Sequence, residues 1–167
     1  RPRLLDELGL FPAIEWQMKE FQNRTGINCS LILPGDNIEI NSISSSAIFR
    51  IFQEAITNVS RHSFAKNVNV EITTNKNSVL ALVVKDNGIG LPENYLNKEQ
   101  SLGILGMKER AHSIGGSVDL KSAPGQGTEV LVRYLLDANI CIHLIDRSAP
   151  QVLARLAPLP LGDAVMF

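Results

Sequence analysis

A chain of 167 residues is long enough for one domain with a proper core, and its 44% hydrophobic and 20% charged residues are those of an ordinary soluble globular protein. A formal net charge of −1 argues against a nucleic-acid surface or a polybasic membrane patch, so an anionic ligand has to be held by local features. No run approaches the ~20 apolar residues of a membrane helix, and the N-terminus is no signal peptide. Cys29 and Cys141 are the only cysteines; they form no C-x-x-C pair and read as packed thiols in a reducing compartment. The chain opens at Arg1-Pro2-Arg3-Leu4-Leu5 without a Met, and is expected to be a piece of something longer.

Leu4 to Leu10 leads into a helical stretch in which Phe11, Ile14, Met18 and Phe21 recur every three or four residues. Pro12 suits its first turn and Thr25-Gly26 its end. Trp16 lies off this stripe; it reads as core packing, with cover for a partner or a neighbouring helix as the alternative. Ile27 to Leu33 alternates as a strand, Pro34 to Asn37 is a turn, and Ile38 to Ile40 is a short second strand. Ser44-Ser45-Ser46 offers a helix cap.

The helix from about Ala47 to His62 is the strongest periodic signal. Ile48, Ile51, Phe52, Ala55, Ile56 and Val59 form its apolar face. Glu54, Asn58 and either Arg61 or His62 line up on another face, one turn apart. A solvated face would carry the same pattern. Asn67 to Thr74 and Ser78 to Lys85 follow as strands around a hairpin turn at Asn75-Lys76-Asn77. The second strand runs into Asp86-Asn87-Gly88-Ile89-Gly90, a turn whose glycines let backbone pass close to a bound group.

The stretch from Gly88 to Ser101 is long, polar and irregular, as functional loops are. Gly103-Ile104-Leu105-Gly106 then opens a helix with Met107, Ala111 and Ile114 on its apolar side, ended by Gly115-Gly116. Ser117 to Ser122 and Thr128 to Leu136 are the last strands, joined by a turn over 123–127. Beyond Asp137, residues 140–145 suggest one more strand and 152–156 a helical turn, before Pro158-Leu159-Pro160-Leu161-Gly162 breaks the pattern.

Two glycine-rich turns thus flank a polar loop, and the second sits at a helix start. Free amides and the partial positive charge of a helix N-terminus make an anion site, and Gly103 and Gly106 leave it open to phosphate oxygens. A carboxylate such as Asp86 at a strand end can accept from an exocyclic amine such as that of adenine. Glu54 and Asn58 offer oxygens on a rigid helix, and Mg2+ takes few protein oxygens besides phosphates and waters. There is no G-x-x-x-x-G-K-[ST], so this is no Walker-type site.

"FRIFQEAITNVSRHSFAKNVNV" resembles the asparagine box of the ATPase superfamily that holds DNA gyrases, heat-shock chaperones, sensor histidine kinases and mismatch-repair ATPases. "DNGIG" resembles its first glycine box, "SLGILGMKERAHSIGG" its second and "GQGTEV" its third, in the same order and spacing. The details are most similar to the short two-component sensor kinases of the nitrate- and sugar-phosphate-sensing type, and "RPRLLDELGL" resembles the end of the segment that joins their phosphoacceptor helices to the catalytic domain. The resemblance implies a two-layer α/β sandwich of the Bergerat type, a mixed sheet of about five strands with helices on one face. It implies residues 1–10 as the end of that linker, 11–136 as the ATP-binding catalytic domain, and 137–167 as an extension with no counterpart.

Residue by residue, the resemblance implies Asn58 as the Mg2+ ligand and Glu54 one turn before it as the candidate base or orienter. Arg61 and His62 would lie near the phosphates. Asp86 would bind the adenine amine, supported by Thr128 directly or through water. Gly88 and Gly90 would make room for the base. Residues 91–102 would be a lid, with Lys98 as a phosphate contact, and Gly103, Leu105, Gly106 and Met107 would begin the helix that receives the phosphates.

The implied activity is transfer of the γ-phosphoryl of ATP to a histidine on a separate dimerisation and phosphoacceptor domain, in a two-component pathway with a response regulator downstream. The phosphoacceptor departs from the pattern. His62, His112 and His143 are the only histidines, and none stands in the acidic H-[DE] setting of a phosphoacceptor helix. This stretch is therefore not expected to phosphorylate itself. The implied parent is a homodimer with a cytoplasmic catalytic domain, an inner-membrane anchor being one option, and no nucleic-acid partner. The alternatives are a degenerate nucleotide-binding regulatory module and a gyrase- or chaperone-type ATPase domain.

Overall fold

The computed structural model describes residues 3–35, 38–92 and 102–136. Helix α1 (Arg3–Leu8) leads through Gly9 into α2 (Leu10–Thr25). Leu10, Ala13, Ile14, Met18 and Phe21 of α2 are buried. Gly26 ends the helix in the left-handed region, at φ 72°, where its N–H reaches the Gln22 carbonyl at 2.8 Å. Strand β1 (Asn28–Ile32) follows, and then α3 (Ser42–Asn58).

Two expectations change here. Ile38 to Ile40 forms no strand, and α3 starts at Ser42, not near Ala47. Asn41 caps the helix by accepting the Ser44 N–H at 2.9 Å, so the three serines fall inside the first turns. Ser46 returns its hydroxyl to the Ser42 carbonyl at 2.8 Å. Trp16 is half exposed, because it stands on the side of α2 away from the buried stripe; it does not pack in the core.

Past Asn58 the helix widens into a π-helical turn, Val59–Ser63, which ends at Phe64 in the left-handed region at φ 52°. Then come β2 (Asn67–Thr74), β3 (Val79–Asp86), α4 (Leu102–Ser113), β4 (Ser117–Ser122) and β5 (Thr128–Leu135). The expected strand near 140–145, the turn near 152–156, and Cys141 and His143 lie outside the described residues.

Among the described residues the sheet is five-stranded and mixed, in the order β1-β2-β3-β5-β4. Only β1 and β2 run parallel, and every other pairing is antiparallel. Val68, Val70 and Ile72 of β2, Leu80, Leu82 and Val84 of β3, and Val130, Val132 and Tyr134 of β5 all point to the helix layer. Against them pack Ile48, Ile51, Phe52 and Ile56 of α3, Met107 and Ala111 of α4, and Ile14 and Phe21 of α2. Each such large side chain contributes about 1.5–3 kcal/mol on burial. Leu5 and Leu10 belong to the same core, so the segment that resembles a linker is packed onto the domain. Among the described residues no helix is long and apolar enough to cross a membrane.

Candidate functional site

The antiparallel register sets one apolar row across three strands, with Val84 beside Val130 and Val130 beside Leu120. Two residues further, β3 ends at Asp86, while β5 begins at Thr128 opposite Ser122 of β4. A polar row thus closes the end of an apolar floor. A cavity of about 520 Å³ lies over this floor, between the sheet and the helices α3 and α4. Such a volume suits a small-molecule ligand.

Asp86 is 95% buried, with 5% of its surface exposed. Burial pushes its carboxyl above the ordinary value; backbone N–H groups of Gly88 and Thr128 pull it part of the way back. The Gly88 N–H donates to Oδ1 at 2.8 Å. It is therefore the backbone amide of Thr128 that reaches Asp86, while the Thr128 hydroxyl pairs with Ser122 at 2.9 Å.

The turn behind Asp86 is fixed by backbone. Asn87 accepts the N–H groups of Lys66 and Asn67 at 3.0 and 2.9 Å, which ties the turn to the start of β2. The Ile89 N–H donates to the Ser63 carbonyl at 2.8 Å, and Gly125 donates to the Ile89 carbonyl at 2.7 Å. A Cβ at Gly88 would collide with the Ser63 carbonyl. Gly90 lies at φ 69°, with the Ala123 carbonyl where its Cβ would be.

The other end of the cavity is built from helices. Glu54 and Asn58 of α3 stand half-buried, and Arg61 and His62 of the π-helical turn stand exposed. The sequence pattern aligns only one of Arg61 and His62 with Asn58. Both line the cavity, from within the π-helical turn. Among the described residues, none of these four side chains makes a hydrogen bond or an ion pair. The first turn of α4 approaches them directly. A Cβ at Gly103 would collide with the Glu54 carboxylate and stand 3.8 Å from the Asn58 amide nitrogen. The N-terminus of α4 thus comes down onto this face, with Gly103 within direct reach of the Glu54 carboxylate.

Of the residues singled out in the sequence, Glu54, Asn58, Arg61, His62, Asp86, Gly90, Gly103, Met107 and Thr128 line the cavity. Gly88 packs behind it. Leu105 and Gly106 do not line it: Leu105 is 46% exposed, and Gly106 lies under the Arg110 guanidinium. Lys98 and most of the expected lid, 93–101, lie outside the described residues. Sequence reasoning missed the apolar walls, Val84, Val130, Leu120, Ile89 and Ile104, and also Ser122. Strand alternation could have found the first two, since Val84 and Val130 share the face of Asp86 and Thr128.

Among the described residues no three of His, Cys, Asp and Glu cluster as a metal site. Among the described residues the helix end offers the Glu54 carboxylate and the Asn58 amide oxygen, next to the exposed Arg61 guanidinium and His62 imidazole. That set fits a hard cation held mostly by phosphate and water. A buried carboxylate over an apolar floor fits the base of a nucleotide.

Residues 43–138 match the family described as histidine kinase-, DNA gyrase B-, and HSP90-like ATPase, and the chain belongs to that family. Its domain is of the kind found in histidine kinases. It is 34% identical over 132 residues to a signal transduction histidine-protein kinase/phosphatase DegS of Brevibacillus brevis, covering 79% of this chain and 34% of that protein. The DegS of Bacillus subtilis (strain 168) is 33% identical over 141 residues, covering 81% and 36%. The chain therefore spans about a third of the length of these relatives. The histidine kinase domain of a blue-light activated histidine kinase from Erythrobacter litoralis EL346 shares the fold. Its TM-score is 0.67 at 19% identity, over 81% of this chain and 64% of that one.

Proposed function

We propose that this domain binds Mg-ATP and donates the γ-phosphoryl to a histidine on a separate dimerisation and phosphoacceptor domain of a two-component sensor kinase. The observation that carries the reading is Asp86: a buried carboxylate at the end of an apolar floor, facing across one cavity a helix N-terminus and an unpaired Glu54–Asn58 face.

Each residue has a task in this reading. Asp86 accepts from the exocyclic amine of adenine, and Val84, Val130, Leu120 and Ile104 hold the ring by apolar contact. Gly103 and the first turn of α4 receive phosphate oxygens, Arg61 adds charge, and His62 adds an imidazole N–H donor. Asn58 holds the metal through its amide oxygen, and Glu54 orients the metal's water or the incoming acceptor. Bound Mg2+ neutralises the charge that develops on the phosphates during transfer. The chain's own contribution is positioning and the exclusion of water. Phosphotransfer to a partner histidine, a response regulator downstream and a homodimeric parent are parts of the same proposal.

The test is incubation with ATP radiolabelled at the γ position, with and without a separately supplied phosphoacceptor helix domain. Label on that domain is the expected result. Steady phosphate release without it selects the gyrase-like ATPase instead, and binding with neither selects a regulatory module.

A further inference from the structure

The Ser122 side chain ties Leu91 to the Gly127-Thr128 turn at the base end of the cavity. Its hydroxyl donates to the Gly127 carbonyl at 2.9 Å, accepts the Leu91 N–H at 2.8 Å and lies 2.9 Å from the Thr128 hydroxyl. A serine hydroxyl has one proton and two acceptor positions. Gly127 is buried, and its carbonyl needs that proton. Leu91 fills one acceptor position. The contact with Thr128 is then of one kind only: Thr128 donates and Ser122 accepts.

We propose that Ser122 is a specificity-determining positioning residue, which commits the Thr128 proton away from the cavity so that Asp86 and Thr128 both offer acceptors at the position of the exocyclic group of the base. This rests on the adenine reading above. Asp86 presents a carboxylate, and Thr128, beside it in the same polar row, presents lone pairs. Two acceptors side by side suit an amino group or an amine-bound water. They repel a base with a carbonyl oxygen at the same position, because neither can turn a proton toward it.

Removing the Ser122 hydroxyl frees the Thr128 proton. Thr128 can then rotate and donate into the cavity, and a carbonyl-bearing base becomes tolerable. Ser122 itself never meets the nucleotide, so loss of its hydroxyl changes the ratio between two nucleotides more than it changes binding as such.

The experiment is calorimetric titration of the chain with ATP and with inosine triphosphate, which carries a carbonyl where ATP carries the amine. Ser122→Ala is expected to shrink the preference for ATP by about tenfold, the scale of one hydrogen bond reversed. Ser122→Thr, which keeps the hydroxyl, should retain the preference. Thr128→Val should reduce it, and adding Ser122→Ala to Thr128→Val should change nothing further. A preference unchanged in both Ser122→Ala and Thr128→Val overturns the proposal, as does an equal loss for both nucleotides. If Ser122→Ala fails to fold, Thr128→Val alone and Ser122→Thr decide.

Asp86→Asn separates the two levels of the argument. If the unsubstituted chain binds both nucleotides alike, or Asp86→Asn leaves the preference intact, the adenine reading itself falls. If Asp86→Asn abolishes the preference and Ser122→Ala does not, only the role of Ser122 falls.

Discussion

The two ends of the cavity are made differently. At the base end, strands and tight turns hold Asp86, Ser122 and Thr128 by hydrogen bonds from named partners, and Asp86 is buried among them. At the phosphate end, helices present Glu54, Asn58, Arg61 and His62 without side-chain partners among the described residues. The first end is pre-organised and selects by shape and hydrogen-bond polarity. The second is a set of free groups that gain their partners only when phosphate and metal arrive. Specificity should therefore reside at the sheet, and salt and metal dependence at the helices.

The largest effect should come from Asp86→Asn. A hydrogen bond to a charged group contributes about 1.5–3 kcal/mol, so ATP affinity should fall roughly 10- to 100-fold by calorimetry. The fold should hold, because the asparagine oxygen can still accept from Gly88. Next is a pair of glycines. Gly88→Ala forces a Cβ onto the Ser63 carbonyl and should cost about 1–3 kcal/mol in thermal unfolding. Gly106→Ala meets only the far end of the flexible Arg110 side chain, 2.8 Å away, and should be neutral or up to about 1 kcal/mol stabilising. Equal losses at the two sites would erase the contrast between rigid turn and helix surface.

Asn58→Ala should remove the Mg2+ dependence of binding while leaving the melting temperature unchanged, which titration with and without EDTA would show. Acidity should separate the ends more gently. Burial raises the Asp86 carboxyl, so the folded chain holds that proton more readily than the unfolded chain does. The sign follows from linkage: this group disfavours folding progressively as pH rises from its ordinary value through the raised one. Binding runs the other way. The amine needs the carboxylate, so ATP affinity should climb through the raised value and level off, and Asp86→Asn should lose that climb. The smallest effect is Arg61→Ala: exposed and screened, it should lower affinity about two- to fivefold, less at high salt.

The sequence made the phosphate end legible as a list and the base end as a motif. Glu54 and Asn58 were readable because a helix repeats every three to four residues, and Asp86 because a strand stops at glycines. The exchange of Ala47 for Ser42 as the helix start came from a cap outside the serine run. The π-helical turn that carries Arg61 and His62 is not visible in the sequence, since apolar spacing is nearly unchanged by one wide turn. Leu105 and Gly106 share a motif with Gly103, but a helix sends successive residues to different sides, and these two do not line the cavity. Ser122 carried no signal at all. Its role depends on which strand lies beside which, and β4 meets Thr128 only through the antiparallel register.

The central claim is that one nucleotide spans these two ends. It is tested most directly by backbone amide NMR during titration with a non-hydrolysable ATP analogue. The largest shifts should fall together on Gly88, Ile89 and Thr128 at the sheet and on Gly103 and Ile104 at the start of α4. Shifts confined to one end, or centred instead on the groove of Glu15, Lys19 and Cys29 between α2 and β1, would contradict it.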